Sequence, residues 1–216
     1  MIRQSRWDYG AIHDLYWSLG LACFIIITEK SKAFLVNGNN LSINCIEIMD
    51  NHLWLSCTCS NSFLYLTSLS NSIVELSLLP SFSYTRRWDP AIACQKNEFI
   101  KDITCNDDKI ALIIAIFSDK IVHAIIRSLA TFNQLFSIRL DIKHVSYQLP
   151  IRCCSLQDNE WLVVEANTSQ LFHIGREGKL KGTVTYDQPS YKVLLFGSNI
   201  LVIRTDSTIN FHEVWH

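Results

Sequence analysis

The 216-residue chain sets 19 Lys plus Arg against 20 Asp plus Glu, is 49% hydrophobic and 18% charged, and holds only 7 Gly and 4 Pro. This composition excludes a disordered, collagen-like or linker-dominated chain and predicts a folded globular protein, with residues 1–216 as a single domain. A net charge near zero, with no basic cluster longer than Arg86-Arg87, leaves no electrostatic footprint for nucleic acid.

The longest apolar stretches, Leu21 to Ile27 and Ile110 to Phe117, fall far short of the roughly 20 residues a membrane helix needs, so no membrane partner is expected. The opening "MIRQSRWDYG" has no apolar core behind its charges and does not read as a secretory signal, which makes a cytoplasmic location the expectation. Two N-x-S/T sequons, at Asn40 and Asn167, would matter only in a secreted chain.

In chain order, β-branched and aromatic runs of five to eight residues alternate with short polar turns, and almost no 3.6-residue periodicity appears. The fold class predicted is all-β. A recurring phrase is traced five times. The first is "IHDLYWS" (12–18), "ACFIIIT" (22–28) and "KAFLVN" (32–37); the second is "INCIEIM" (43–49), "LWLSCTC" (53–59), "FLYLTSL" (63–69) and "IVELSLL" (73–79). The third runs through "IKDITCN" (100–106), "IALIIAIF" (110–117), "IVHAIIRS" (121–128) and "QLFSIRLD" (134–141). The fourth runs through "IRCCSL" (151–156), "WLVVEA" (161–166), "LFHIG" (171–175) and "LKGTVTY" (180–186). The fifth has "YKVLLFG" (191–197), "ILVIRT" (200–205) and "INFHEVW" (209–215) and lacks a fourth strand.

First strands near 12, 43, 100, 151 and 191 give uneven steps of 31, 57, 51 and 40 residues. Their mean of about 45 is the blade length of a β-propeller, and a sandwich would not repeat a four-strand phrase at that period. The prediction is a β-propeller of about five four-stranded blades, or a fragment of a larger propeller. A second echo supports the repeat: "SRWDYGAIHD" (5–14) parallels "RRWDPAIACQKNEFIKD" (86–102), the latter with a loop insertion in which Pro90 ends a strand. "IRQSRW" (2–7) is expected as a strand that could pair with "INFHEVW" and close the ring.

The stretches "WLSCTCSNSFLYLTSLSNSIVELSLLPSFSYTRRWDP", "FIKDITCNDDKIALII", "RCCSLQDNEWLVVEANTSQLFHI" and "LFGSNILVIRT" together resemble an uncharacterised family of propeller-like domains from invertebrate animals. The resemblance covers most of the chain. It implies an architecture similar to WD40 and NHL propellers, often placed after TRIM-like zinc-binding and coiled-coil modules, and it implies no activity. WD40 repeats proper are a poorer match: Trp7-Asp8 and Trp88-Asp89 resemble the WD dipeptide, but no Gly-His pair precedes either at the proper distance.

Chemistry-bearing motifs are few. "HEVWH" (212–216) matches the H-E-x-x-H zinc-protease signature. On a strand, however, residues four apart lie about 13 Å from each other, while ligands of one zinc each reach it at about 2.1 Å. No protease follows. The other histidines, at 13, 52, 123, 144 and 173, are scattered singly. "GREGK" (175–179) lacks P-loop spacing and reads as a hairpin turn, as does Asp107-Asp108. Asp14 and Asp102 recur near blade starts; a cation on a central channel is conceivable, but acceptance of backbone N–H bonds is the expected role.

The eight cysteines, at 23, 45, 57, 59, 94, 105, 153 and 154, are read as reduced thiols. Cys57 and Cys59 should share one face of a strand, whereas Cys153 and Cys154 should point to opposite faces. No catalytic residue, cofactor or metal site is predicted. The expected function is a non-catalytic protein-binding module or scaffold, with Arg86, Arg87 and Trp88 as candidate contact residues. The alternatives are a propeller enzyme, hydrolase-like, with its site at the mouth of the ring, or a propeller fragment without independent function.

Overall fold

The structure, a computed structural model, describes residues 6–29, 32–46, 52–79, 82–106, 108–142, 150–197 and 199–214. Strand-forming sequence dominates it because its β-branched and aromatic runs suit a pleated, half-buried surface. Helix is confined to short turns such as α1 (Pro90–Ala93). The chain divides into two compact units, Met1–Gln95 and Lys96–His216.

The first unit holds two four-stranded antiparallel sheets. β1 (Ile12–Ser18), β2 (Cys23–Thr28), β3 (Ala33–Asn37) and β4 (Ile43–Ile46) form one; β5 (Trp54–Cys59), β6 (Phe63–Ser68), β7 (Ile73–Ser77) and β8 (Ser83–Trp88) form the other. Ile25, Ile27 and Ala33 of the first sheet pack with Cys57, Leu64, Leu66 and Val74 of the second. On its other face, the first sheet buries Ile26, Phe34 and Val36 beneath Trp7 and neighbouring apolar side chains.

The second unit holds three sheets. β9 (Glu98–Cys105), β10 (Lys109–Ile116), β11 (Ile121–Ser128) and β12 (Gln134–Leu140) form the third sheet of the chain. β13 (Ile151–Ser155), β14 (Trp161–Glu165), β15 (Gln170–Ile174) and β16 (Leu180–Thr185) form the fourth. β17 (Lys192–Phe196), β18 (Ile200–Arg204) and β19 (Ile209–Glu213) form the fifth, which has three strands among the described residues. Each sheet is a meander in chain order, the blade architecture of a five-bladed β-propeller.

Period-2 alternation lets a blade pack on both faces. Cys153 and Cys154 show it directly: Cys153 joins the core shared with the third sheet, and Cys154 joins the core shared with the fifth. Cys57 and Cys59 lie together in one core, and all eight cysteines are free thiols.

The blade phasing differs from the sequence expectation in the first half. Ile43–Ile46 pairs with β3, Val36 opposite Ile43, and is the last strand of the first blade rather than the first strand of the second. The second blade opens at Trp54 and ends on Ser83–Trp88. That last strand was missed because "SYTRRW" is an outer strand, mostly exposed, with no apolar alternation to mark it. With first strands at Ile12, Trp54, Glu98, Ile151 and Lys192, the steps become 42, 44, 53 and 41 residues. Of the proposed closing strand 2–7, residues 2–5 lie outside the described residues, while Trp7 is in no strand and its ring packs edge-on against Phe34 at 5.4 Å.

Candidate functional site

The two recurring aspartates occupy one structural position. A bulge at His13 in β1 and another at Lys101 in β9 re-aim the following side chain. Asp14 then accepts the Cys57 backbone N–H at 2.8 Å and the Ser56 hydroxyl at 3.0 Å, both on β5. Asp102 accepts the Cys153 backbone N–H at 2.7 Å and Arg152 Nη1 at 3.0 Å, both on β13. Each acid latches the opening strand of its blade to that of the following one. Both were expected to accept backbone N–H bonds; the acceptance runs between blades instead of within a local turn.

At the corner that ends the second blade, Arg86 donates to both oxygens of Glu75, at 3.0 and 2.9 Å, and its guanidinium lies 4.6 Å from the centroid of the Trp88 ring. Trp88 itself is 7% exposed. Arg87 pairs with Asp89 at 3.1 Å and contacts the His52 ring at 2.8 Å. The Arg86 guanidinium, partly exposed, is held over a buried indole, and Arg87 is partly exposed beside the exposed Asp89.

"GREGK" is the expected hairpin turn: Gly178 N–H donates to the Gly175 carbonyl at 2.9 Å, and Gly178 has a left-handed φ of +73°. Asn106 Oδ1 accepts the N–H groups of Asp108 and Lys109, capping the neighbouring turn of which Asp107 lies outside the described residues. His212 sits in β19, as the strand assignment requires, and its Nε2 is 2.8 Å from Tyr186 Oη. Trp215 and His216 lie outside the described residues, as does His144.

Two features of the second unit were not anticipated. The first is a cleft of about 340 Å³ between the fourth and fifth sheets, lined chiefly by Leu162, Leu171, Val184, Leu201 and Ile203, with His173, Lys181, Tyr186 and His212 also on its wall. Glu160 holds two of these polar groups, accepting from Lys181 and lying 2.6 Å from His173 Nε2. Burial pushes the Glu160 carboxyl up, but the hydrogen bonds from Lys181 and His173 outweigh it and keep it below the ordinary value.

The second feature is the opposite face of the fifth sheet. Leu194, Val202 and Phe211 form a row across its three strands, flanked by Phe196 and Ile209. Leu194 is 36% exposed, Phe196 64%, Ile209 61% and Phe211 67%. The signal was present in the sequence: "KVLLF" and "ILVIR" place apolar residues at both phases of a strand alternation, and "INFHE" places Ile209 and Phe211 at a single phase. Among the described residues, no group of three or more His, Cys, Asp or Glu side chains could hold a metal ion.

Compared with known proteins, the chain matches no protein-family model and no curated protein sequence.

Proposed function

We propose that this chain is a non-catalytic protein-binding module whose partner docks on the outward face of the fifth sheet. The observation that carries the reading is the exposed row of Leu194, Phe196, Ile209 and Phe211. At about 200 Å² for a fully exposed large side chain, these fractions leave on the order of 450 Å² of apolar surface in contact with water. A patch of that size is comparable to the largest apolar patch of an ordinary monomer, which is often the functional one. Its charged rim, Lys192, Arg204 and Glu213, would supply the polar border of an interface.

The guanidinium edges of Arg86 and Arg87 are a separate proposed contact, with Trp88 acting beneath them as a support for Arg86. The resemblance of the chain to invertebrate propeller-like domains supports a WD40- or NHL-like type of the sort found with TRIM-like modules. Eight free thiols support a cytoplasmic location. The test is capture of proteins from extract on immobilised chain, compared between wild type, Phe196→Ser and Arg86→Ala. Loss of the same captured protein in Phe196→Ser is expected; an unchanged captured set in both variants overturns the reading.

A further inference from the structure

The hydrogen-bond ladders align the first strands of the blades residue by residue. In β13, Leu156 N–H donates to the Glu160 carbonyl and Ala166 N–H to the Pro150 carbonyl is the matching bond at the other end. Bonded and non-bonded residues alternate along an antiparallel pair, so Arg152 and Cys154 bond to β14, and Cys153 aims its N–H away from it. That N–H is the one Asp102 accepts. In β5, Ser60 N–H donates to the Phe63 carbonyl, which by the same alternation makes Cys57 the residue aimed away from β6. Asp14 accepts that N–H.

The fifth sheet repeats the geometry. Thr205 N–H donates to the Thr208 carbonyl and Val214 N–H to the Asn199 carbonyl, so Leu201 and Ile203 bond to β19, and Val202 and Arg204 bond to β17. Their β17 partners are Leu194 and Lys192. Val193 therefore aims its N–H away from β18, as Cys153 does from β14. The residue is 1% exposed, and a buried backbone N–H requires an acceptor.

By this alignment Asp14, Ser56, Asp102, Arg152 and Lys192 hold one position. Asp14 and Asp102 each reach the next first strand and bond both its outward N–H and the side chain just before it, Ser56 or Arg152. β17 packs beside β13 as β13 packs beside β9. Where the same reach would serve Val193, the residue is Arg152, which has donors and no acceptor. Lys192 adds a second cation. Burial pushes the Cys153 and Cys154 thiols up, while the Lys192 charge pulls both partly back, which puts its ammonium within electrostatic reach of β13. On the other side of Arg152, burial and then the Arg152 charge hold the Lys101 amine below its ordinary value.

We infer that a carboxylate from outside the chain binds at this junction, accepting the Val193 N–H and bridging Arg152 and Lys192, in the arrangement that Asp102 makes one blade earlier. The chemistry of the ligand is read from the two filled copies, both of which hold a carboxylate. Arg152 keeps Asp102 meanwhile, because a guanidinium offers five N–H donors and an ammonium three. The site goes beyond the docking face of the fifth sheet and does not depend on it.

The test uses the whole chain, titrated with sodium acetate against sodium chloride at equal ionic strength, with amide exchange read residue by residue. At saturating acetate the Val193 amide should slow at least tenfold, while Cys153, already bonded to Asp102, changes little; chloride should do neither. Lys192→Met should raise the half-saturating acetate concentration about tenfold, and Lys192→Arg should preserve it. A peptide of three aspartates, blocked at both ends, separates the sources: protection by acetate alone supports a small-molecule carboxylate, and protection by both supports an acidic side chain of another protein.

No response of Val193 to acetate, an equal response to chloride, or an unchanged response in Lys192→Met overturns the proposal. So does a Val193 amide as slow as that of Cys153 before any acetate is added, since the chain then supplies its own acceptor. Phe196→Ser should leave the acetate response intact, so this site and the docking face fail separately.

Discussion

Asp102→Ala removes a carboxylate that is 0% exposed and that joins β9 to β13. Two losses follow. The Cys153 N–H, bonded at 2.7 Å, loses a buried acceptor, which costs about 1–3 kcal/mol. Arg152, whose side chain is 16% exposed, loses the counter-charge it meets at 3.0 Å, and breaking a buried pair of this kind costs about 3–5 kcal/mol. Because one carboxylate supplies both contacts the terms overlap, and the expected cost is about 3–5 kcal/mol rather than their sum. Asp14→Ala removes the matching latch in the first unit, where the two partners are neutral, and should cost about 2–3 kcal/mol. Urea unfolding of both variants measures the costs, and amide exchange at Cys153 locates the Asp102 loss at β13. An Asp102→Ala chain within about 1 kcal/mol of wild type, or one less affected than Asp14→Ala, would refute the account of the latch.

Gly178 and Gly182 should respond oppositely to alanine. At Gly178 the left-handed φ costs about 1–2 kcal/mol, and the new Cβ would fall 2.3 Å from Phe136 Cγ, so Gly178→Ala should lower the melting temperature markedly. Gly182→Ala should change stability by no more than about 0.5 kcal/mol. Thiol labelling at pH 8 should modify the exposed Cys45 first. Cys59 and Cys154, buried and pushed up to about 11 and about 12, should react only on unfolding. Glu160 is held below its ordinary value in the fold, so its contribution is complete above the unfolded carboxylate value of about 4.3 and is lost as pH falls through the lower folded value. The stability difference between wild type and Glu160→Gln should shrink in acid, as pH falls below about 4.3.

Blade assignment was legible wherever a strand was buried. "IALIIAIF" and "WLVVEA" are central strands covered on both faces, so their apolar runs are continuous and mark the middle of a blade unambiguously. The outer strand "SYTRRW" carries no such mark, because it is half exposed and has no apolar alternation. "SYTRRW" was therefore missed, and Ile43–Ile46, the outer strand of the first blade, was assigned to the second. The aspartates were recognised as equivalent from spacing alone, yet their partners, forty-three and fifty-one residues away in the chain, follow from a bulge that alternation does not encode.

The fifth sheet shows the converse case, in which the pattern carried more than its strand assignment used. A sheet that is apolar on one face and polar on the other needs one neighbour; one that is apolar on both needs two. Val193, Leu201 and Ile203 satisfy the first requirement against the fourth sheet. Leu194, Phe196, Ile209 and Phe211 are built to the same rule and remain open to water. Were this surface merely tolerated, charges would be expected on it, since an exposed strand edge is ordinarily protected by lysine, proline or a bulge. Its charges, Lys192, Arg204 and Glu213, instead lie at the ends of the strands and leave Leu194 and Phe211 exposed across the middle, with Val202 half-buried between them. Apolar residues at the centre with charges at the rim are the arrangement of a contact surface.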